Sequence, residues 1–211
     1  MKQNLLLRFV TLMLVSMLIS QAAWALSGEG TKDNPYIVTK GADLDVIRAE
    51  IEAGKWTSET SKQVYVSLAN DIVLTSSFQP IGTKNHPFSG YFYGNFHTIS
   101  GLNLNYTASN QGLFGCTYAA EISDFILKGS MTSTKSGLSA IGSVVGYADI
   151  TKIGKVKSYV NITIKNVAQS HIGGIVGHMS SGQRSRVLVQ NSSSSNPQPI
   201  GFSGILLAKR Q

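Results

Sequence analysis

Gln111-Gly112-Leu113-Phe114-Gly115, Gly142-Ser143-Val144-Val145-Gly146 and Gly173-Gly174-Ile175-Val176-Gly177 decide the fold of this chain. The closing glycine recurs every 31 residues, at Gly115, Gly146 and Gly177. A further step of the same size reaches Ile205-Leu206-Leu207-Ala208, a looser fourth copy. Downstream, Ile122 falls in line with Ile153, and Phe125 with Val156 and Val187. One such unit cannot bury its own apolar face. Stacking the units puts equivalent aliphatics in columns at the strand separation of about 4.8 Å. The glycines then mark tight bends, or places where a neighbouring rung leaves no room for a Cβ. Adjacent residues of a strand face opposite sides. Leu113 and Phe114 can therefore share one core only if a bend separates them, and the sequence leaves open which column is inside.

Upstream, Val64, Val66 and Leu68 alternate as a half-buried strand does. Phe78-Gln79-Pro80-Ile81-Gly82 and Phe88-Ser89-Gly90-Tyr91-Phe92-Tyr93-Gly94-Asn95 follow, with a turn expected at Gly94-Asn95. Residues 41–54 form the one convincing helix. Leu44, Ile47 and Ile51 share a face, Asp43 and Asp45 sit in the first turn, and Gly54 ends the pattern. A helix ahead of many strands suits a cap over the open end of a stack. Residues 109–196 are rich in Gly, Ser, Thr and Val and carry no helical stripe, which disfavours a helical solenoid. The expected fold is all-β, a right-handed parallel β-helix with a 31-residue repeat and a short N-terminal capping helix.

At the N-terminus, Lys2 and Arg8 precede an apolar run from Phe9 to Ile19 and then Ala23-Trp24-Ala25. This is the pattern of a secretory signal peptide cleaved after Ala25. The run is too short to cross about 30 Å of hydrocarbon, so no membrane span is expected after cleavage. The organisation is therefore a signal peptide at 1–25, a capping segment at 26–55 and a β-helix at 56–211. The single cysteine, Cys116, excludes an internal disulfide, which fits a bacterial envelope or surface protein better than a small disulfide-built domain. The C-terminus stops one strand into a rung at Lys209-Arg210-Gln211, as in a chain that is truncated.

Phe78-Gln79-Pro80-Ile81-Gly82, Phe88-Ser89-Gly90 and Gly94-Asn95-Phe96-His97-Thr98-Ile99-Ser100-Gly101-Leu102 lead into Gly112-Leu113-Phe114-Gly115. This succession resembles the GLUG-motif repeat family over roughly residues 27–208. Ser143 departs from the motif in the second copy, and Ile205 and Ala208 in the fourth. The resemblance implies an exported β-solenoid, secreted or at the bacterial cell surface and adhesin-like. Related repeats also accompany peptidase modules. It carries over no catalytic residue.

Residues 26–149 hold all 11 acidic side chains, whereas residues 150–211 hold Lys152, Lys155, Lys157, Lys165, Arg184, Arg186, Lys209 and Arg210 and no acid. The asymmetry is read either as a solvated basic face or as a site for an anionic partner. No specific nucleic-acid partner is expected.

The chain has four histidines, His86, His97, His171 and His178, none in a zinc-peptidase spacing. His171 and His178 are seven apart, so on one continuous strand they face opposite sides. No metal site is expected. Glu121 and Asp124 are three apart, again opposite in parity, which argues against paired catalytic carboxylates. Asp71 and His97 read as structural, and Cys116 as a buried lone thiol. Tyr91 and Tyr93 share parity opposite to Phe92. With Phe88 and Phe96 they form a dense aromatic stretch that suits either sugar stacking or packing under a loop.

The sequence thus points to a non-catalytic exported module that binds a glycan or host-surface ligand, without cofactor and with no identifiable ligand-binding residue. The alternative is a carbohydrate-active β-helix enzyme, or an accessory module of a larger surface peptidase.

Overall fold

The computed structural model describes residues 26–56, 63–105, 109–133, 139–164, 170–180, 188–190 and 193–194. The expected signal segment at 1–25, the looser fourth copy expected at 205–208 and the C-terminal residues 209–211 lie outside them. So do Val187 and the basic residues Lys165, Arg184, Arg186, Lys209 and Arg210.

Parallel coils stack into a β-solenoid of about four turns. Its longest sheet runs β1 (Tyr36–Val38), β2 (Val64–Leu68), β4 (Gly90–Tyr93), β7 (Glu121–Ser133), β10 (Lys152–Ile164) and β13 (Leu188–Gln190). β3 (Ile72–Val73) and β5 (Thr98–Asn105) extend it beside the second half of β7, and β14 (Ser193–Ser194) pairs with β10. A second sheet stacks β6 (Phe114–Tyr118), β9 (Val145–Asp149) and β12 (Val176–Met179). A third pairs β8 (Ser139–Gly142) with β11 (Ser170–Gly173).

The 31-residue period is the register of these ladders. Ile122 pairs with Ile153, Phe125 with Val156, Phe114 with Val145, Val145 with Val176, and Ala140 with His171. The period does not hold at either end. Val64 pairs with Gly90, Ile72 with Ile99 and Thr98 with Ile126, so the earlier coils are shorter. On the C-terminal side Ile153 pairs with Val189 and Lys157 with Ser193, so the next coil is five residues longer than the repeat. The five extra residues fall in sequence between Met179 of β12 and Leu188 of β13.

Both hydrophobic columns point inward. Leu113 and Phe114 are buried, as are Val144 and Val145. A bend at Gly112–Leu113, and another at Ser143–Val144, turns the chain from one sheet to the next, so the alternation of faces restarts. Inside, Phe92 meets Phe114 at 5.3 Å and Phe125 at 5.7 Å, both edge to face. The turn after β4 differs in detail from the expectation. The left-handed conformation falls on Asn95 and Phe96, with φ of 49° and 65°, and not on Gly94. Gly94 is required for space, because a Cβ there would lie 2.3 Å from the Cβ of Phe125.

Helix α1 (Gly41–Glu52) closes the N-terminal end of the core. Leu44, Ile47 and Ile51 are buried in the same apolar cluster as Val38, Val64 and Leu74. Asp43 starts the helix by accepting from the backbone N–H groups of Thr39, at 2.8 Å, and Lys40, at 3.1 Å. Asp45 accepts from Thr75 Oγ1 at 2.8 Å, which ties the helix to the coil beneath it. β1 already pairs with β2, so the first strand of the ladder lies on the N-terminal side of the helix.

Candidate functional site

Two outward surfaces carry chemistry. On the long sheet Phe92 is buried, while Tyr91 and Tyr93 face outward; Phe88, just ahead of β4, is buried too. Tyr65 stacks on Tyr91 at 4.4 Å, with the planes 11° apart, and Tyr93 lies 6.1 Å from Tyr91. These rings cover one another, so much of their stacking surface is already used. Phe96 stands 71% exposed, with Lys155 Nζ 5.8 Å from its ring centre. Burial raises the Tyr93 hydroxyl above its ordinary range, and Glu121, the neighbouring tyrosines and Asp124 push it in the same direction. Both carboxylates therefore act on one outer face. Parity fails here because Asp124 has a φ of 63°, which breaks the alternation of the strand. Each carboxylate is paired. Glu121 meets Lys152 at 3.1 Å and Asp124 meets Lys155 at 3.4 Å.

Asp71 accepts from the backbone N–H of Thr98 at 2.9 Å and contacts His97 Nδ1 at 3.2 Å. Those bonds, Thr98 first, hold its carboxyl below the usual range. The pair clamps the start of β5 to the preceding coil.

The second surface is concave. A cleft of about 550 Å³ lies against the outer face of the β6–β9–β12 sheet. Its floor is a register column, Cys116 beside Tyr147 beside His178. The next outward column begins with Tyr118 beside Asp149. Tyr147 stacks on His178 at 5.0 Å, with the planes 14° apart. His171, from β11, meets His178 edge to face at 4.5 Å. The bend at Gly174–Ile175 lies between the two histidines. It resets the alternation and brings to one site residues that parity had placed on opposite sides. Lys84 and Pro87, from the preceding coil, complete one end.

The polar groups of the cleft differ in how they are satisfied. Asn110 Nδ2 donates to Cys116 Sγ at 3.1 Å. Burial raises the Cys116 thiol above its ordinary range. Cys116 and His178 sit two strands apart, roughly 10 Å, so no thiol–imidazole hydrogen bond forms. Asp149 Oδ1 is shielded and has no hydrogen-bond partner. Among the described residues no group of three or more His, Cys, Asp and Glu side chains is arranged to hold a metal ion. The sequence singled out His171, His178 and Cys116 but missed Tyr147, Asp149 and Lys84. The 31-residue alignment of Cys116 with Tyr147 and His178 was the signal that could have joined them.

Burial, and then His171, hold His178 below the ordinary imidazole range. The fold thus favours neutral His178. That stability is fully present above the unfolded pKa of about 6.5 and is lost as pH falls from there toward the folded value. The melting temperature should drop between pH 7 and pH 5, and His178→Asn should flatten that slope. Identical slopes for the two proteins in a pH series of thermal melts would refute the coupling.

Over 96 residues the chain is 35% identical to a protein of Evansella cellulosilytica named as a Gly-rich membrane protein, covering 42% of this chain and 10% of that one. Over 92 residues it is 37% identical to halomucin of Haloquadratum walsbyi, covering 42% of this chain and 1% of halomucin. The chain spans a tenth or less of the length of these curated relatives. No family model matches it. No solved structure matches it. Among the described residues no helix is long and apolar enough to cross a membrane.

Proposed function

We propose that the protein is a non-catalytic, exported surface module of the GLUG-like kind that uses its solenoid as a stiff scaffold and holds a glycan in the cleft. One observation carries the reading: a concave site is lined by the Tyr147–His178 stack together with Asp149, whose Oδ1 has no hydrogen-bond partner. A sugar ring offers an apolar face to an aromatic platform and hydroxyl donors to a carboxylate. That combination of an apolar wall with a few convergent polar groups is the usual form of a small-ligand site. The names of the relatives, a membrane protein and halomucin, support a place at the cell surface.

A glycan array followed by calorimetry tests the proposal. Tyr147→Ala should weaken binding about tenfold, the effect of losing an aromatic contact near 1.4 kcal/mol, with the melting temperature nearly unchanged. Binding indifferent to Tyr147→Ala and Asp149→Asn would reject the cleft as the site. A reducing-sugar assay addresses the enzyme alternative. Release of sugar ends abolished by Glu121→Gln or Asp124→Asn would overturn the non-catalytic reading.

A further inference from the structure

We infer that the glycan held by the cleft is acidic, a uronic-acid-containing oligosaccharide whose carboxylate meets Lys84 while its hydroxyls meet Asp149; this rests on the glycan reading of the cleft. The order of groups along the solenoid axis supports it. Isolated parallel bridges from Ile81 to Phe114 and from Phe88 to Thr117 place the intervening loop one coil ahead of β6. Thr83 fixes that loop by accepting from His86 N–H with its hydroxyl at 3.1 Å and donating its own N–H to His86 O at 2.9 Å. Lys84 lies inside this turn and lines the cleft. Its charge is felt at the Cys116 thiol, so it acts on the cleft floor. No ion pair engages it among the described residues.

Asp149 lies in β9, two coils beyond the Lys84 loop, about 10 Å along the axis at the usual strand spacing. An ammonium without an ion pair and a carboxylate with one partnerless oxygen therefore stand too far apart to pair with each other, with the Tyr147–His178 platform at and beyond Asp149 along the axis. A neutral sugar would use Asp149 and the Tyr147–His178 face but leave Lys84 idle. A cationic ligand would meet Asp149 but be opposed by Lys84. A ligand with one carboxylate and several hydroxyls, longer than a single ring, uses all three features. Lys84 is the one lysine or arginine among the described lining residues.

Calorimetric titration of the protein with trigalacturonate and triglucuronate, and with their carboxyl-reduced counterparts, tests this. At low salt one acidic trisaccharide should bind about tenfold tighter than its reduced form, and the difference should shrink as salt screens the contact. Lys84→Gln should bring the two affinities together while leaving the reduced sugar unchanged. Asp149→Asn should weaken both. Equal affinities in the unaltered protein, or a preference that survives Lys84→Gln, would overturn the acidic assignment and leave the glycan reading standing. Binding of none of the four would remove both.

Discussion

Leu44→Asp combined with Ile47→Asp should abolish cooperative folding of the domain. The two side chains are 0% and 1% exposed and lie in the main apolar cluster. Burying a Leu or Ile stabilises by roughly 1.5–3 kcal/mol each. The variant loses both contributions and must also either bury two carboxylates without partners or release the helix. A buried unpaired charge costs several kcal/mol more. Domains of this size are stable by about 5–15 kcal/mol in total. Releasing the helix gives no relief, because it exposes the first turn of the core around Val38, Val64 and Leu74. Circular dichroism against temperature reads the result. Arg48→Ala is the matched control, since it removes a partly exposed pair with Glu52 at the flank of the buried face, worth a few tenths of a kcal/mol. A double variant that melts like the parent would show the helix to be a detached surface element.

The helix was legible because its signals are local: one apolar face, an acid in the first turn and a glycine after the last turn. The repeat was legible for a related reason. In the coils from β6 to β12 a constant period is the pairing register, so aligned residues such as Ile122 and Ile153 become neighbours. Where coil length varies, as between β3 and β5 or between β10 and β13, no fixed period exists and the register escapes sequence alignment. Site chemistry was harder to read, because it depends on corners. Parity counts faces only along an unbroken strand. One bend was enough to bring His171 onto His178, and one left-handed residue was enough to bring Asp124 to the face of Glu121. Asp149 gave no signal, since an unpaired oxygen in a cleft is a property of three coils together.

Gly146→Ala should cost about 3 kcal/mol or more, at or above the upper end of what one added methyl costs in a packed interior. Gly146 does not have a left-handed backbone, so the reason is space rather than conformational freedom. A Cβ there would lie 2.5 Å from Gln111 N, 2.7 Å from Asn110 C and 2.8 Å from Gly115 O. Every one of these atoms is backbone, and no rotamer change can move them aside. The corner they belong to is itself fixed. Gln111 N–H donates to Ala140 O at 2.8 Å, and Gly142 N–H donates back to Gln111 O at 3.0 Å. Making room for the methyl would therefore separate two coils. Gly54→Ala is the informative contrast. A Cβ at that position meets nothing within 4 Å, but its φ of 82° is unfavourable for Ala, so the cost should be about 1 kcal/mol. For a chain of this length, Gly146→Ala should lower the melting temperature by roughly 6–12 °C and Gly54→Ala by about 2–4 °C. If the order were reversed, the corner would yield to an added methyl, and the 31-residue glycine column would be serving bending rather than close approach of the coils. The same geometry recurs at Gly177, where a Cβ would lie 2.3 Å from Ile141 N. Gly177→Ala should therefore reproduce the Gly146 result one coil further along.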